Sequence, residues 1–161
     1  MNILHIIRKD NATGGAENFA RELASYFNAD IVVTKKNTAD SKAELIKPTT
    51  RYKLWSFLFD FGNRMMKLLG FQQTFRRAFF LHDSCNNTHA RLKEMEVYQN
   101  ADLIHLHNIH GGYFDILDLE KIAKEKPVVW TLHDMWMVTG GEAHTMGNKN
   151  YIKGDAKTPY T

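Results

Sequence analysis

Residues 102–134 read DLIHLHNIHGGYFDILDLEKIAKEKPVVWTLHD. Two short apolar runs stand out, each leading into histidine. The first is Leu103-Ile104-His105-Leu106-His107, followed by Asn108, Ile109, His110 and the pair Gly111-Gly112. The second is Val128-Val129-Trp130-Thr131-Leu132, followed by His133 and Asp134. Short apolar runs bounded by polar and turn residues read as buried strands. The spacing between them predicts a helix over 114–124, burying Ile116, Leu119, Ile122 and Ala123. Lys124 and Lys126 suit its negative dipole end. The unit is strand, helix, strand. In an open parallel sheet, ligands bind beyond the carboxyl ends of the strands. The histidines therefore fall where a site belongs.

The rest of the chain extends this unit. Residues 3–7 are nearly all apolar, as expected of a strand covered on both faces. His5, in their middle, reads as a packed core histidine. After Gly14 and Gly15, the residues Ala16, Phe19, Ala20, Leu23, Ala24 and Phe27 recur at helical spacing, and Asn28 ends the helix. A second strand is predicted over 31–34 and a short one over 44–47. Residues 86–99 read as one helix with Leu92, Met95 and either Tyr98 or Gln99 on one side. The alternation is that of an α/β domain built on a parallel sheet.

Totals set bounds. The chain has 161 residues, 43% hydrophobic and 24% charged, with a net charge of +3, enough for one domain with a core. The single cysteine, Cys85, excludes an internal disulfide and a cysteine-based zinc cage. The first residues carry no basic leader, and no apolar stretch approaches the roughly 20 residues of a spanning helix. A cytoplasmic location is expected.

Charge is unevenly placed. Residues 51–81, from Arg51 to Leu81, hold six basic residues against the single acid Asp60, among many Phe, Leu and Met. Two helices broken near Gly70 are predicted. Such a segment can lie on an anionic membrane surface. The alternative is a pair of crossover helices with aromatics in the core and solvated bases outside. Stacking on nucleic acid finds no accompanying motif, and no nucleic-acid partner is expected.

Gly14-Gly15, just before a helix, allows a tight turn and close approach of a ligand, with helix amides favouring an anion. The dinucleotide fingerprint spacing is missing. The alternative is a loop that needs glycine only for its turn. His105 and His107 share one strand face by the period-two rule. His105 lies deeper, and His107, at the strand end, is the better site candidate. His133 follows an apolar strand and precedes an acid, a position suited to binding a hydroxyl or to acid–base work. A His-x-His-x-x-His pattern (His105, His107, His110) also invites comparison with metallo-β-lactamase-like hydrolases. Ile109 stands where that pattern needs an aspartate.

Four segments together resemble the N-terminal domain of retaining family-4 glycosyltransferases. They are residues 1–7, Gly14-Gly15-Ala16-Glu17, Asp102-Leu103-Ile104-His105-Leu106-His107, and Pro127-Val128-Val129-Trp130-Thr131-Leu132-His133-Asp134. Residues 130–136 with Thr139-Gly140-Gly141 resemble the bacterial colanic-acid and capsular-polysaccharide type. The resemblance implies a GT-B enzyme, in which two Rossmann-like domains face each other across a cleft. Such an enzyme moves a sugar from a nucleotide sugar to a saccharide or lipid-linked acceptor, with retention and without a metal or other cofactor. This chain would be the acceptor-side half, a Rossmann-like parallel sheet with helices on both faces. It would be truncated, without the nucleotide-binding C-terminal domain, and inactive alone. By matching motifs, His133 would be the catalytic-centre residue. Gly14, Gly15, His107, Asn108 and Asp134 would line the substrate side, with Glu17 and Asp134 also supporting the loops. Relatives acting on lipid-linked acceptors give residues 51–81 a peripheral membrane role. Two readings of other classes stand beside this one: a metal hydrolase, and a non-catalytic ligand-binding domain.

Overall fold

The computed structural model describes residues 1–10, 14–38, 42–47, 50–68, 87–110, 113–139, 143–147 and 149–153. The helix expected beyond Gly70 and the second glycine pair, Gly140-Gly141, lie outside these residues.

The fold is α/β and Rossmann-like. Five parallel strands stand in the order β3-β2-β1-β4-β5. They are β1 (Ile3–Lys9), β2 (Asp30–Lys35), β3 (Glu44–Leu45), β4 (Leu103–His107) and β5 (Val128–Thr131). Order reverses between β1 and β4, the two strands at the centre. The chain passes from β1 to a helix on one face and from β4 to a helix on the other, the arrangement in which parallel sheets form ligand crevices beyond their carboxyl ends.

Helix α1 (Gly15–Phe27) covers one face. Ala20 packs with Ile7, Val33 and Ala43, and Ala24 is buried one turn further on. The apolar stripe read from the sequence is narrower in the fold, because Phe19 and Phe27 stay largely exposed. Asn28 ends the helix as predicted, in the left-handed conformation at φ 50°, and its N–H returns to Ala24 and Ser25.

The other face carries the larger core. Leu4, Ile6, Ile104 and Leu106 meet Leu92, Tyr98, Phe114 and Ile122. Here the sequence expectation needs three corrections. The helix over 86–99 is two pieces, α3 (Thr88–Lys93) and α4 (Glu96–Gln99), parted by an extended Met95. The break lets Tyr98 turn into the core while its hydroxyl donates to Glu125. The helix over 114–124 starts later. Asp115 caps a 3₁₀ turn (Ile116–Asp118) by accepting from the Leu117 N–H, and α5 (Leu119–Glu125) follows. Phe114 and Asp115 thus precede the helical turns and are buried. Ala123 is exposed, since α5 meets the sheet through Ile122.

Polar contacts tie these layers. The buried Asp118 carboxylate accepts from the His89 N–H and from Lys121 Nζ. Glu125 pairs with Lys93 and His89, which hold its carboxyl well below the usual range, at about 2.

Residues 51–81 are described as far as helix α2 (Thr50–Leu68). Leu54, Phe57, Leu58, Phe61, Met65 and Leu68 are exposed and recur at helical spacing on one stripe. Among the described residues no helix is long and apolar enough to cross a membrane.

The revised α5 face predicts a contrast. Ile122→Ala should lower the unfolding free energy by about 3 kcal/mol through lost burial and a residual cavity. Ala123→Lys should change it by no more than about 0.5 kcal/mol, as a surface substitution. Urea denaturation of both variants checks the pair.

Candidate functional site

The register of the central strands builds the site. His5 on β1 pairs with His105 on β4, and His107 pairs with Thr131 on β5. Laterally paired residues in a parallel sheet point to the same face. His5, His105, His107 and Thr131 therefore gather on the face that α1 covers. His133, two residues past Thr131, joins them at the carboxyl edge. Phe19 of α1 lies over the outer end, its ring centroid 5.5 Å from that of His133 and 6.2 Å from that of His107.

The imidazoles touch nitrogen to nitrogen. His5 Nδ1 lies 3.0 Å from His107 Nε2, and His107 Nδ1 lies 3.0 Å from His133 Nε2. His105 stands beside this row, with Nε2 2.7 Å from the Thr131 hydroxyl. His5 and His107 are sealed at 0% and 1% exposure, and His133 is half-buried. Burial holds all four rings in the neutral form. It lowers His5 to about 4 and His107 to about 3, with neighbouring imidazoles adding to the effect. His105 and His133 are lowered too, again mainly by burial, though Asp134 and Glu17 oppose the shift at His133.

The structure places each sequence-predicted residue as follows. Gly14 and Gly15 stand at the start of α1, on the β1 side of the crevice. Gly14 is extended at φ −144°, so the tight turn expected of the pair does not occur at this position. A side chain there would meet the Glu17 carboxylate, whereas one at Gly15 would meet open space. Glu17, in the first turn of α1, puts its own negative charge at the helix end where an anion was expected, with its carboxylate beside Gly14. His107 is buried and reaches the crevice through His133. Asn108, just past β4, adopts the left-handed region at φ 41°. Its carbonyl accepts from the Tyr113 hydroxyl at 2.9 Å, and that of His107 accepts from the same hydroxyl at 3.2 Å. Burial pushes the Tyr113 phenol far up, so it stays a donor. The Asp134 carboxylate takes His110 Nε2 at 2.6 Å on one oxygen and the Trp136 N–H at 2.9 Å on the other. The His110 ring lies against Trp136, with centroids 5.5 Å apart. Asp134 thereby fixes the loop that follows His133.

His5, Tyr113 and Thr131 are the members that the sequence did not expose. Each acts through a partner set by strand pairing or loop closure. The only local signal was the even spacing of histidines on the two runs.

The His105–His107–His110 metal set is not brought together, because His110 turns to Asp134. His5, His105 and His107 do converge, with donor nitrogens within 4.8 Å of one another. In this arrangement both nitrogens of His107 face other imidazoles, so that ring binds an ion only by giving up one of those contacts. The arrangement suits hydrogen bonding to an uncharged polar ligand at the sheet edge, with His133 as its exposed end.

Among curated proteins, the chain is similar to WcaC of Escherichia coli (strain K12), described as a candidate glycosyl transferase of colanic acid biosynthesis. The two are 36% identical over 64 residues, which is 35% of this chain and 16% of that protein. No protein-family model and no solved structure matches. The likeness supports a glycosyltransferase-like relationship.

Neutral buried histidines set a pH dependence. Their folded pKa values lie below the unfolded value near 6.5. Between the two, the unfolded chain binds more protons, so stability is full above pH 6.5 and falls as pH drops toward about 4 and then 3. The expected loss is on the order of 1 kcal/mol per pH unit for each buried histidine. Glu125 adds its own loss only below the ordinary glutamate range. Urea midpoints that fall steadily from pH 7 to 4.5 are expected, and a flat profile there contradicts neutral burial.

Proposed function

We propose that this chain is the acceptor-side half of a GT-B glycosyltransferase of the retaining family-4 type. It moves a sugar from a nucleotide-sugar donor to a saccharide or lipid-linked acceptor, in cell-surface polysaccharide synthesis. The observation that carries the reading is His133. It stands half-buried just beyond the carboxyl end of β5, hydrogen-bonded to His107 at the end of β4 and under the Phe19 ring of α1, beside the point where strand order reverses. The likeness to WcaC supports glycosyl transfer as the reaction class.

In this reading His133 contacts the sugar at the reacting centre and holds it by hydrogen bonding. Gly15 leaves room for the donor beside Gly14, and Asn108 and His107 shape the floor. Asp134 keeps the His133 loop in place. The chemistry is metal-independent, which accords with imidazoles occupied by one another. A facing nucleotide-binding domain supplies the opposite wall, and this wall alone transfers no sugar. The cytoplasmic face of the membrane is the proposed place of action. The exposed stripe of α2 and the basic excess of residues 51–81 support peripheral contact with anionic lipid there.

Two measurements test these proposals. In an assay with labelled nucleotide sugars, the protein joined to its facing domain should lose transfer on the order of 100-fold on His133→Ala, as for removal of one transition-state hydrogen bond. An unchanged rate removes His133 from the site, and brisk transfer by these 161 residues alone overturns the one-wall reading. Separately, the chain should co-sediment with phosphatidylglycerol-containing vesicles and not with neutral ones. The double change Phe57→Ser, Phe61→Ser should abolish that difference. Equal sedimentation with both vesicle types speaks against membrane contact.

A further inference from the structure

His5 on β1, His107 on β4 and His133 in the loop just past β5 form a row, and the row has a direction. The two rings of each touching pair are tilted by only 23° and 28°, with centroids 5.3 Å apart in both pairs. A neutral imidazole has one N–H and one lone pair. Each 3.0 Å contact needs one N–H and one acceptor. Because His107 uses both of its nitrogens, the two contacts must run the same way.

Only two arrangements keep both hydrogen bonds. In the first, His5 Nδ1–H donates to His107 Nε2, and His107 Nδ1–H donates to His133 Nε2. His133 then carries its proton on Nδ1. In the second every proton is moved, so that His133 Nε2–H donates inward and His5 holds a proton on Nε2. His5 Nε2 is buried without a partner. The second arrangement strands an N–H donor in the core, whereas the first leaves only a lone pair there; orphaned buried N–H groups are the rarer defect. The field points the same way. The carboxylates of Asp134 and Glu17 act on His133, at the outer end, and draw positive charge toward it.

We propose that His5 and His107 are positioning residues that hold His133 as the Nδ1–H tautomer, so that it offers a hydrogen-bond donor to a ligand oxygen at the sheet edge. With Glu17 and Asp134 beside it, the oxygen that fits is a neutral hydroxyl rather than a phosphate. The identity of that hydroxyl as a sugar's rests on the sugar-transfer reading; the tautomer does not.

The test uses the ligand-free chain, labelled with ¹⁵N-histidine, at pH 7. Long-range ¹H–¹⁵N correlation should find His5, His107 and His133 all protonated on Nδ1, with ¹⁵N–¹⁵N couplings across both contacts. His133 protonated on Nε2, or absence of the couplings, overturns the proposal whatever the outcome of any transfer assay. A second arm reverses the row. His5→Asp places an acceptor-only group opposite His107 Nε2 and should move the His133 proton to Nε2. His5→Asn, whose amide can donate from the same place, should leave it on Nδ1. A His133 tautomer indifferent to that pair shows that the row does not set it. Should His5→Asp fail to fold, the spectrum of the unsubstituted chain decides alone.

Discussion

The pairing of β1 with β4 is the constraint on which the rest depends. It joins residues about a hundred positions apart, Ile3 to Leu103 through Ile6 to Leu106. A slip of one residue would send every side chain of one strand to the opposite face. His105 and His107 would then enter the large apolar core, and Ile104 and Leu106 would meet α1. The register is pinned at the amino end of the strands. The Asn2 N–H donates to the Asp102 carboxylate at 2.7 Å, the Asp102 N–H returns to the Asn2 carbonyl, and Asn2 Nδ2 reaches the Asn100 carbonyl. Lys126 Nζ secures the same corner by donating to the carbonyls of Gln99 and Ala101. Correct register at this end dictates which side chains meet at the other, where the crevice opens.

Much of the frame was legible because it depends on local pattern. The runs at Ile3, Ile31, Leu103 and Val128 are short, apolar and bounded by polar residues, and each became a strand. The β-loop-α-β opening followed from helical spacing after Gly15 and the stop at Asn28. What failed depended on distant partners. Nothing near Met95 forbids a continuous helix; the break serves Tyr98, which packs in the core and reaches Glu125 at 27 residues' separation. Asp115 read as helix interior, yet its side chain caps the next turn and its N–H donates to Thr88. Ala123 fell on a plausible apolar face that the sheet does not meet.

The site was legible in outline and not in its wiring. Strand ends marked His133 and His107 because period and topology suffice to place them. His5 read as core, which its burial bears out, but its bond to His107 spans 102 residues and leaves no trace in either local sequence. By spacing, His110 groups with His105 and His107. The turn beyond β4 carries it instead to Asp134, so that one carboxylate both orients an imidazole and holds the Trp136 N–H.

A row of imidazoles is a costly way to fill a sheet face, since isoleucine or valine would bury without polar atoms to satisfy. Such departures from a purely apolar interior concentrate at functional sites. The gain here is positional. His133 belongs to a loop, and loops hold side chains less firmly than strands do. Two hydrogen bonds running back through His107 to His5 tie that loop residue to the central strand, while Phe19 presses from above and Asp134 fixes the chain just beyond. The exposed end of the row thus acquires the rigidity of the buried end. On the proposed reading, a donor held that firmly selects ligands by the placement of an oxygen atom, which is the discrimination that a sugar substrate demands.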